Sequence, residues 1–337
     1  MGIAYDEDGK PASLIDLRPM DLADILDATI RVYRSNPWVF ISILVSIIGI
    51  PVYISSFIEK GYIRPAIELA LKEIANVSAS TQTMEILNVF KTNEFLIAAG
   101  VLGVVMLFNV FLMPIAQAAV VSAVSESILG RETSFQESLD SIREKLASLI
   151  AAYFLVILIY VLLFSPFAIF LLVADTIYSN PGAILGFLGI FNLSFILFIF
   201  LFFKLLFIPH SIVLDHVNAA NAFRRSFSLT SGYWWRILGI YLVVNIIVGM
   251  IVGLFSGIVY FVDLGLAGVS SSEVVVLGVG ALFNSIISLM LQPVTLIAMT
   301  LIYYDLRIRK EGFDMVILAQ AMSEETETQE STNSENL

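Results

Sequence analysis

Apolar residues arrive in six long, nearly unbroken runs, at about residues 38–58, 95–123, 147–174, 184–209, 236–262 and 274–303. Each is long enough to cross roughly 30 Å of hydrocarbon as a helix, which takes about 20 residues. Lipid offers backbone amides no partner, so each run must close its hydrogen bonds along its own axis. The pattern therefore predicts an all-α fold, a polytopic membrane bundle of about six transmembrane helices, with local kinks at Pro114, Pro166 and Pro293. The first run starts only near Trp38, behind a charged amphipathic stretch instead of a short basic leader. That span is expected to stay in the mature chain.

Between the runs the pattern turns amphipathic. Aligning Asp24, Glu137 and Asn221 brings three segments into register directly before the first, third and fifth spans: DLADILDATIRVYRSNPW from Asp21, SFQESLDSIREKLASLIA from Ser134 and NAANAFRRSFSLTSGYWW from Asn218. In the first, Leu22, Ile25, Leu26, Ile30 and Tyr33 share a face opposite Asp24, Asp27, Arg31 and Arg34, with Asp27 and Arg31 spaced for an i,i+4 pair. Phe135, Leu139, Ile142, Leu146 and Leu149 form the stripe of the second; Ala219, Ala222, Phe223, Phe227 and Thr230 form that of the third. Helices of this kind are expected to lie flat at the membrane boundary, apolar face down. Pro114 precedes Glu126 by twelve positions and Pro293 precedes Asp305 by the same interval, which Pro209 and Asp215 break. The expectation is a unit of one surface helix and two spans used three times in one orientation, the middle copy having diverged. Phe313 to Met322 reads as a fourth surface helix, and Ala66 to Ile74 as an interfacial helix on the opposite side.

Lys and Arg outside the spans set the orientation. Lys10, Arg18, Arg31, Arg34, Arg131, Arg143, Lys145, Arg224, Arg225, Arg236, Arg307, Arg309 and Lys310 fall on one side; Lys60, Arg64, Lys72 and Lys91 fall on the other. This bias predicts a cell-membrane protein with both termini in the cytoplasm.

Composition agrees with the pattern: 58% of the 337 residues are hydrophobic and 14% charged, at a mean hydropathy of +0.90. A net charge of −11 argues against nucleic acid as a partner, and much of it lies in tails expected to be disordered, residues 1–17 and 323–337, on either side of a single membrane domain at 18–322. With no Cys, thiolate nucleophiles and Cys-ligated metals are excluded. His210 and His216, six positions apart near Asp215, face different directions on a helix, and no other His or carboxylate cluster completes a metal set. No nucleophile elbow and no glycine-rich phosphate loop occurs. The expectation is a chain with no catalytic site and no cofactor.

The remaining candidates are lipid-headgroup or solute contacts and packing positions. Lys204 is a charge inside a span, which points either to function or to a side chain reaching for the headgroups. His210 and Asp215 lie beside it, while Arg224, Arg225, Trp234, Trp235 and Arg236 gather where the third surface helix meets the fifth span, as basic and aromatic anchors for anionic lipid do. Asp175 and Asp263 end spans as interfacial caps. Asn109, Gln117, Asn192, Asn245, Asn284 and Gln292 lie within spans, where hydrogen bonds between helices account for them. Gly249, Gly253 and Gly257 strip one face of the fifth span, for close packing with another helix of the chain or of another subunit.

Three stretches taken together resemble a known domain: Leu17-Arg18-Pro19-Met20 with Asp24-Ile25-Leu26-Asp27 and Arg31-Val32-Tyr33-Arg34; Arg224-Arg225-Ser226-Phe227 with Gly232-Tyr233-Trp234-Trp235-Arg236; and Tyr303-Tyr304-Asp305-Leu306-Arg307 with Glu311-Gly312-Phe313-Asp314. They are similar to the membrane domain that precedes the catalytic barrel in some glycerophosphoryl diester phosphodiesterases, and to stand-alone proteins built from that domain. The resemblance covers about residues 15 to 322 and leaves no room for a barrel of roughly 250 residues, so it implies a membrane fold and supplies no catalytic residue. Two functions follow as expectations: a scaffold or accessory factor in an envelope or lipid-related process, with the bilayer, anionic headgroups or another membrane protein as partner, or alternatively a transporter or channel for a small or lipidic solute.

Overall fold

The structure is a computed structural model describing residues 19–65, 68, 72, 93–131, 133–177, 181–269 and 272–312. Among them there is no strand. The helices are α1 (Leu22–Ser35), α2 (Pro37–Ile58, ending in a π turn at Glu59–Ile63), α3 (Asn93–Ile128), α4 (Phe135–Arg143), α5 (Leu146–Ile177), α6 (Pro181–Leu205), α7 (Ile208–Leu214), α8 (Ala219–Thr230), α9 (Trp234–Val269) and α10 (Glu273–Glu311). Six stretches are long and apolar enough to span a membrane, at Pro37–Ile63, Gly103–Ile128, Leu146–Pro166, Leu185–Leu214, Trp234–Leu266 and Val274–Glu311, one for each run in the sequence. The two acidic tails, the helix expected at Phe313 to Met322 and most of Ala66 to Ile74 lie outside the described residues.

Backbone detail supports the repeat. Asp21, Ser134 and Asn218 are the N-caps of α1, α4 and α8, each side chain accepting from the amide of the residue three further on, which is Asp24, Glu137 or Asn221. Such a cap satisfies an orphan amide and contributes about 0.5–2 kcal/mol. Burial keeps the same register: Ile25, Ser138 and Ala222 are buried at one repeat position, and Thr29, Ile142 and Ser226 at another. Pro37 follows Asp24 by thirteen positions and Trp234 follows Asn221 by thirteen, whereas Leu146 follows Glu137 by nine. The middle copy is thus shorter between surface helix and span. It diverges again in its second span, because α6 stops at Leu205 and Pro209 sits in the first turn of α7, whereas α3 and α10 run unbroken past Pro114 and Pro293.

The predicted apolar face of α1 splits in two. Ile25, Ala28, Thr29 and Val32 are buried, but Leu22 and Ile30 are exposed. At 100° per residue Leu22 points about 70° and Ile30 about 150° away from the centre of the buried stripe. A helix with one face on protein, one apolar face open and a third carrying Asp27, Arg31 and Arg34 has the cross-section of an element shared between protein, lipid and water.

Contacts divide the chain into two units. The first is drawn from Met1–Val39, Gln117–Val244 and Leu296–Leu337. Small residues dominate its core on α3, where Ala118, Ala119, Val120, Val121, Ala123 and Val124 are all fully buried. Side chains this short let neighbours approach from every side. Ile297, Ala298, Ile302, Tyr303 and Leu306 of α10 are buried in the same unit. Helix α8 lies against α5, α6 and α7. Tyr160 and Phe164 of α5 meet Phe198 of α6 at ring-centroid distances of 5.2 and 5.3 Å.

The second unit, Phe40–Ala116 and Asn245–Thr295, holds the buried stripe Phe40, Ile43, Leu44 and Ile48 of α2. Polar side chains link its spans: Asn109 donates to Ser55 Oγ at 3.3 Å, Ser256 to Asn284 Oδ1 at 2.9 Å, and Gln292 to Met113 Sδ at 3.3 Å. These bonds, with Tyr153 donating to Gln117 at 2.9 Å in the first unit, bear out the reading of the intramembrane amides as ties between helices. Asn192 departs from it, being exposed and donating to Leu188 O of its own helix at 2.8 Å.

The glycine stripe requires a correction. Gly249, Gly253 and Gly257 are exposed, and a Cβ at any of them meets no atom within 4 Å among the described residues. Among the described residues, no other helix packs against that face. Helix α9 is oriented instead by Ser256, Val259 and Asp263, whose mean direction lies about a quarter-turn from that of the stripe.

Candidate functional site

Charge is concentrated at the ends of the spans in the first unit, where partners come both from one helix and from distant stretches of chain. The last turns of α10 carry Tyr303, Asp305, Arg307, Arg309 and Glu311, so that Asp305 with Arg309 and Arg307 with Glu311 are i,i+4 pairs. Asp305 is 0% exposed. A carboxylate so buried is costly unless its lone pairs are filled, and here they are. Arg309 Nε donates to both oxygens at 2.9 and 3.0 Å, Arg236 Nε at 3.1 Å, and the Met20 backbone N–H at 2.9 Å. The Met20 carbonyl in turn accepts from Arg309 Nη2 at 2.8 Å and from Arg236 Nη2. The backbone of one residue just before α1, Met20, is therefore clamped through both its N–H and its C=O between the start of α9 and the end of α10.

A second cluster closes on itself. Arg225 of α8 donates through Nε to Asp215 Oδ2 at 2.6 Å and through both terminal nitrogens to Glu311, one of them at 2.7 Å. Arg307 completes the ring, 3.1 Å from Asp215 Oδ1 and 3.4 Å from Glu311. The first of these contacts is an ion pair that lacks hydrogen-bond alignment, since Oδ1 has no bonded donor. Tyr303 adds its hydroxyl to Asp215 Oδ2 at 2.6 Å. Loss of water disfavours the Arg225 charge, but its hydrogen bonds to Glu311 and Asp215 outweigh that loss and hold its pKa above the usual guanidinium value. Four alternating charges in a partly exposed ring contribute modest energy, about 0–1 kcal/mol per exposed pair. Their stronger effect is to fix which helix ends meet.

The break in the fourth span is repaired from outside it. Ending α6 at Leu205 and restarting at Ile208 leaves the Lys204 carbonyl and the Phe207 amide without helical partners. Ser226, buried on α8, donates to Lys204 O at 2.6 Å and accepts from Phe207 N at 3.3 Å. Ser211, at the same level, donates to Phe207 O at 2.9 Å. Lys145, beyond the end of α4, donates to Val213 O at 2.8 Å, and burial holds its pKa below the ordinary lysine value.

Of the sequence candidates, Asp215, Arg225 and Arg236 enter the ionic network. Lys204 is 9% exposed and donates to Ser231 Oγ at 2.9 Å, with Phe200 and Phe227 rings each 5.8 Å from its nitrogen. It folds onto the end of α8 instead of reaching outward. His210 is buried, stacked on Tyr303 at 5.5 Å, its Nε2 3.4 Å from Thr300 Oγ1 and its Nδ1 without a partner. Trp234 and Trp235 lie with ring centroids 4.1 Å apart. Trp235 is 71% exposed, and Trp38, its equivalent in the first repeat, is 78% exposed. Arg224 is exposed as well. Asp263, expected as an interfacial cap, pairs with Lys60 at 2.6 Å; the side chain of Asp175 lies outside the described residues.

Sequence reasoning did not foresee Tyr303, Arg307, Arg309, Lys310, Glu311, Ser226 and the Met20 peptide as site groups. The signal available was charge density in the last turns of a span, where an unpaired charge would be too costly to keep.

Fold and site together define the class: a polytopic helical membrane protein whose three surface helices precede paired spans and whose span ends are tied by buried ion pairs. A family profile described as Domain of unknown function (DUF7847) matches residues 20–306, and the chain belongs to that family. The match runs from the clamped Met20 to just beyond Asp305, its partner. Its description does not mention the phosphodiesterase membrane domain that the motifs resemble. No curated protein and no solved structure matches.

Proposed function

We propose that this chain is a non-enzymatic integral membrane protein of the cell membrane, with both termini in the cytoplasm, that acts as a scaffold or accessory factor in an envelope or lipid-related process. The observation that carries the reading is the closure of its ionic network. Asp215, Arg225, Arg307, Glu311, Asp305, Arg236 and Arg309 are each paired within the set, with Tyr303 and the Met20 backbone as their further partners. A lipid-cleaving site needs ionisable groups that converge on a space a substrate can enter, whereas these converge on each other. The faces left over, Trp38, Trp235, Leu22, Ile30 and Arg224, suit contact with the bilayer, anionic headgroups or another membrane protein.

Purification in mild detergent, followed by assays for hydrolysis of phospholipids and glycerophosphodiesters, tests this reading. Bound lipid or a co-purifying membrane protein with no turnover is the expected result. Turnover abolished by substituting Asp215 or Asp305 would refute it.

A second reading, a transporter or channel for a small or lipidic solute, is favoured by the second unit. There Lys60, in a π turn of the kind often found at functional sites, pairs with Asp263 near spans tied by Asn109 and Asn284. Solute flux in proteoliposomes that disappears in Asp263→Asn would favour it over the scaffold.

A further inference from the structure

Two ammonium groups converge on one residue, and among the described residues neither lies within ion-pair distance of a carboxylate. Lys204 Nζ donates to Ser231 Oγ at 2.9 Å, whose own proton goes to Phe227 O at 2.6 Å, while Lys310 Nζ donates to Ser228 O in the last turn of α8 and to the carbonyl of its C-cap, Ser231. Among the described residues neither lysine has an ion-pair partner. Glu311, the neighbouring carboxylate, has both oxygens on Arg225 and one also facing Arg307. Around the ammonium groups stand aromatic rings, Phe200 and Phe227 at 5.8 Å from Lys204 and Tyr233 at 5.5 Å from Lys310.

Carbonyls at the end of α8 absorb part of this charge, because a helix C-terminus carries roughly half a negative charge. Two full positive charges exceed it. The place is also open on one side: Ser231, Gly232 and Lys310 are exposed, and Gly232, at φ +85°, has empty space where a side chain would stand. Directly after it α9 begins. The amide of Ile237 bonds to Tyr233 O, which makes the amides of Trp234, Trp235 and Arg236 the unpaired first-turn donors of a 36-residue helix with no acidic residue in that turn.

We propose that Lys204, Lys310 and the first turn of α9 form a binding site for a phosphate anion, of the kind a phospholipid headgroup presents. Exposed Trp235 beside it stands where an acyl chain enters the interface. The site gives the proposed lipid-facing role a specific ligand class and rests on that reading only for the membrane around it.

The test uses the full chain in zwitterionic detergent and native mass spectrometry, with phosphatidylglycerol, phosphatidylcholine and inorganic phosphate as separate probes, on the wild type, Lys310→Gln, Lys204→Gln and Arg34→Gln. One tightly held phosphatidylglycerol per chain is expected, weakened about fivefold in Lys310→Gln, following roughly 1 kcal/mol per lysine at a headgroup, and unchanged in Arg34→Gln. Lys310 is exposed, so its variant stays informative even if Lys204→Gln does not fold. Binding of inorganic phosphate alone, with the same dependence on Lys310, upholds the site and assigns it to a free anion. Equal binding of the two lipids, or binding indifferent to Lys310, overturns it. Hydrolysis of a lipid by the same preparation would sink the non-enzymatic reading and leave the site standing, so the two failures are distinguishable.

Discussion

The two units of this molecule solve the problem of polar groups in a membrane protein differently. In the first, formal charges are gathered where chain segments end, and each buried carboxylate meets several donors: Asp305 takes two arginines and a backbone amide, and Asp215 takes two arginines and a tyrosine. In the second, neutral amides and hydroxyls link neighbouring spans, together with a Lys60–Asp263 pair fitted into the space that Gly280 leaves free. Coulombic attraction in the first is offset by desolvation, so what it adds is choice of partner. In the second, fit decides, because nothing bulky can stand beside the pair.

Breaking the first arrangement should have the largest effect. Asp305→Ala leaves Arg236, Arg309 and the Met20 amide without their shared acceptor, and the expected loss is about 3 kcal/mol, at the lower end for a broken buried pair because both arginines are partly exposed. Denaturation in detergent measures it, and a loss below 1 kcal/mol would show that the clamp is decorative. In the second unit, a Cβ on Gly280 would overlap Asp263 and Lys60. Gly280→Ala should cost about 1–3 kcal/mol through overpacking, and most of that should vanish when Lys60→Ala and Asp263→Ala are added. An equal penalty in both backgrounds would place the strain elsewhere. Ser226→Ala comes next, at about 1–2 kcal/mol, because Lys204 O and Phe207 N lose their bridge in a buried place. The smallest effect is expected from Gly253→Leu, within about 0.5 kcal/mol in the isolated chain, since a Cβ there meets nothing within 4 Å among the described residues. A large destabilisation there would point to a second copy held against α9.

Much of the fold was legible because hydrocarbon imposes a length and a continuity that apolar runs display directly, and the six spans fall where those runs fall. The repeat was legible for a different reason. Asp24, Glu137 and Asn221 occupy the same position after an N-cap, and capping chemistry leaves a mark in composition even where the copies share little else. Facing directions were less visible. Ile30 and Ile25 are equally apolar, yet one is exposed and the other buried, because lipid and protein interior select the same side chains. For the same reason the stripe of Gly249, Gly253 and Gly257 suggested a packed face that no other helix covers among the described residues. The site was half legible: Asp215, Arg225 and Arg236 stood out by type and place, but their side-chain partners lie 10 to 92 residues away, and the backbone of Met20 lies 216 positions from Arg236. No local pattern encodes such a distance.

The central claim is that three copies of one unit enter the membrane in the same orientation, so that α1, α4 and α8 lie on one side of it. A chain without cysteine allows the claim to be tested directly, by labelling Arg34→Cys, Arg143→Cys and Arg224→Cys, each at an exposed position of one copy, with a membrane-impermeant maleimide in sealed vesicles of known orientation. All three should react only from the cytoplasmic side. Labelling of any one of them from the opposite side, with the other two unchanged, would contradict the parallel repeat and the account built on it.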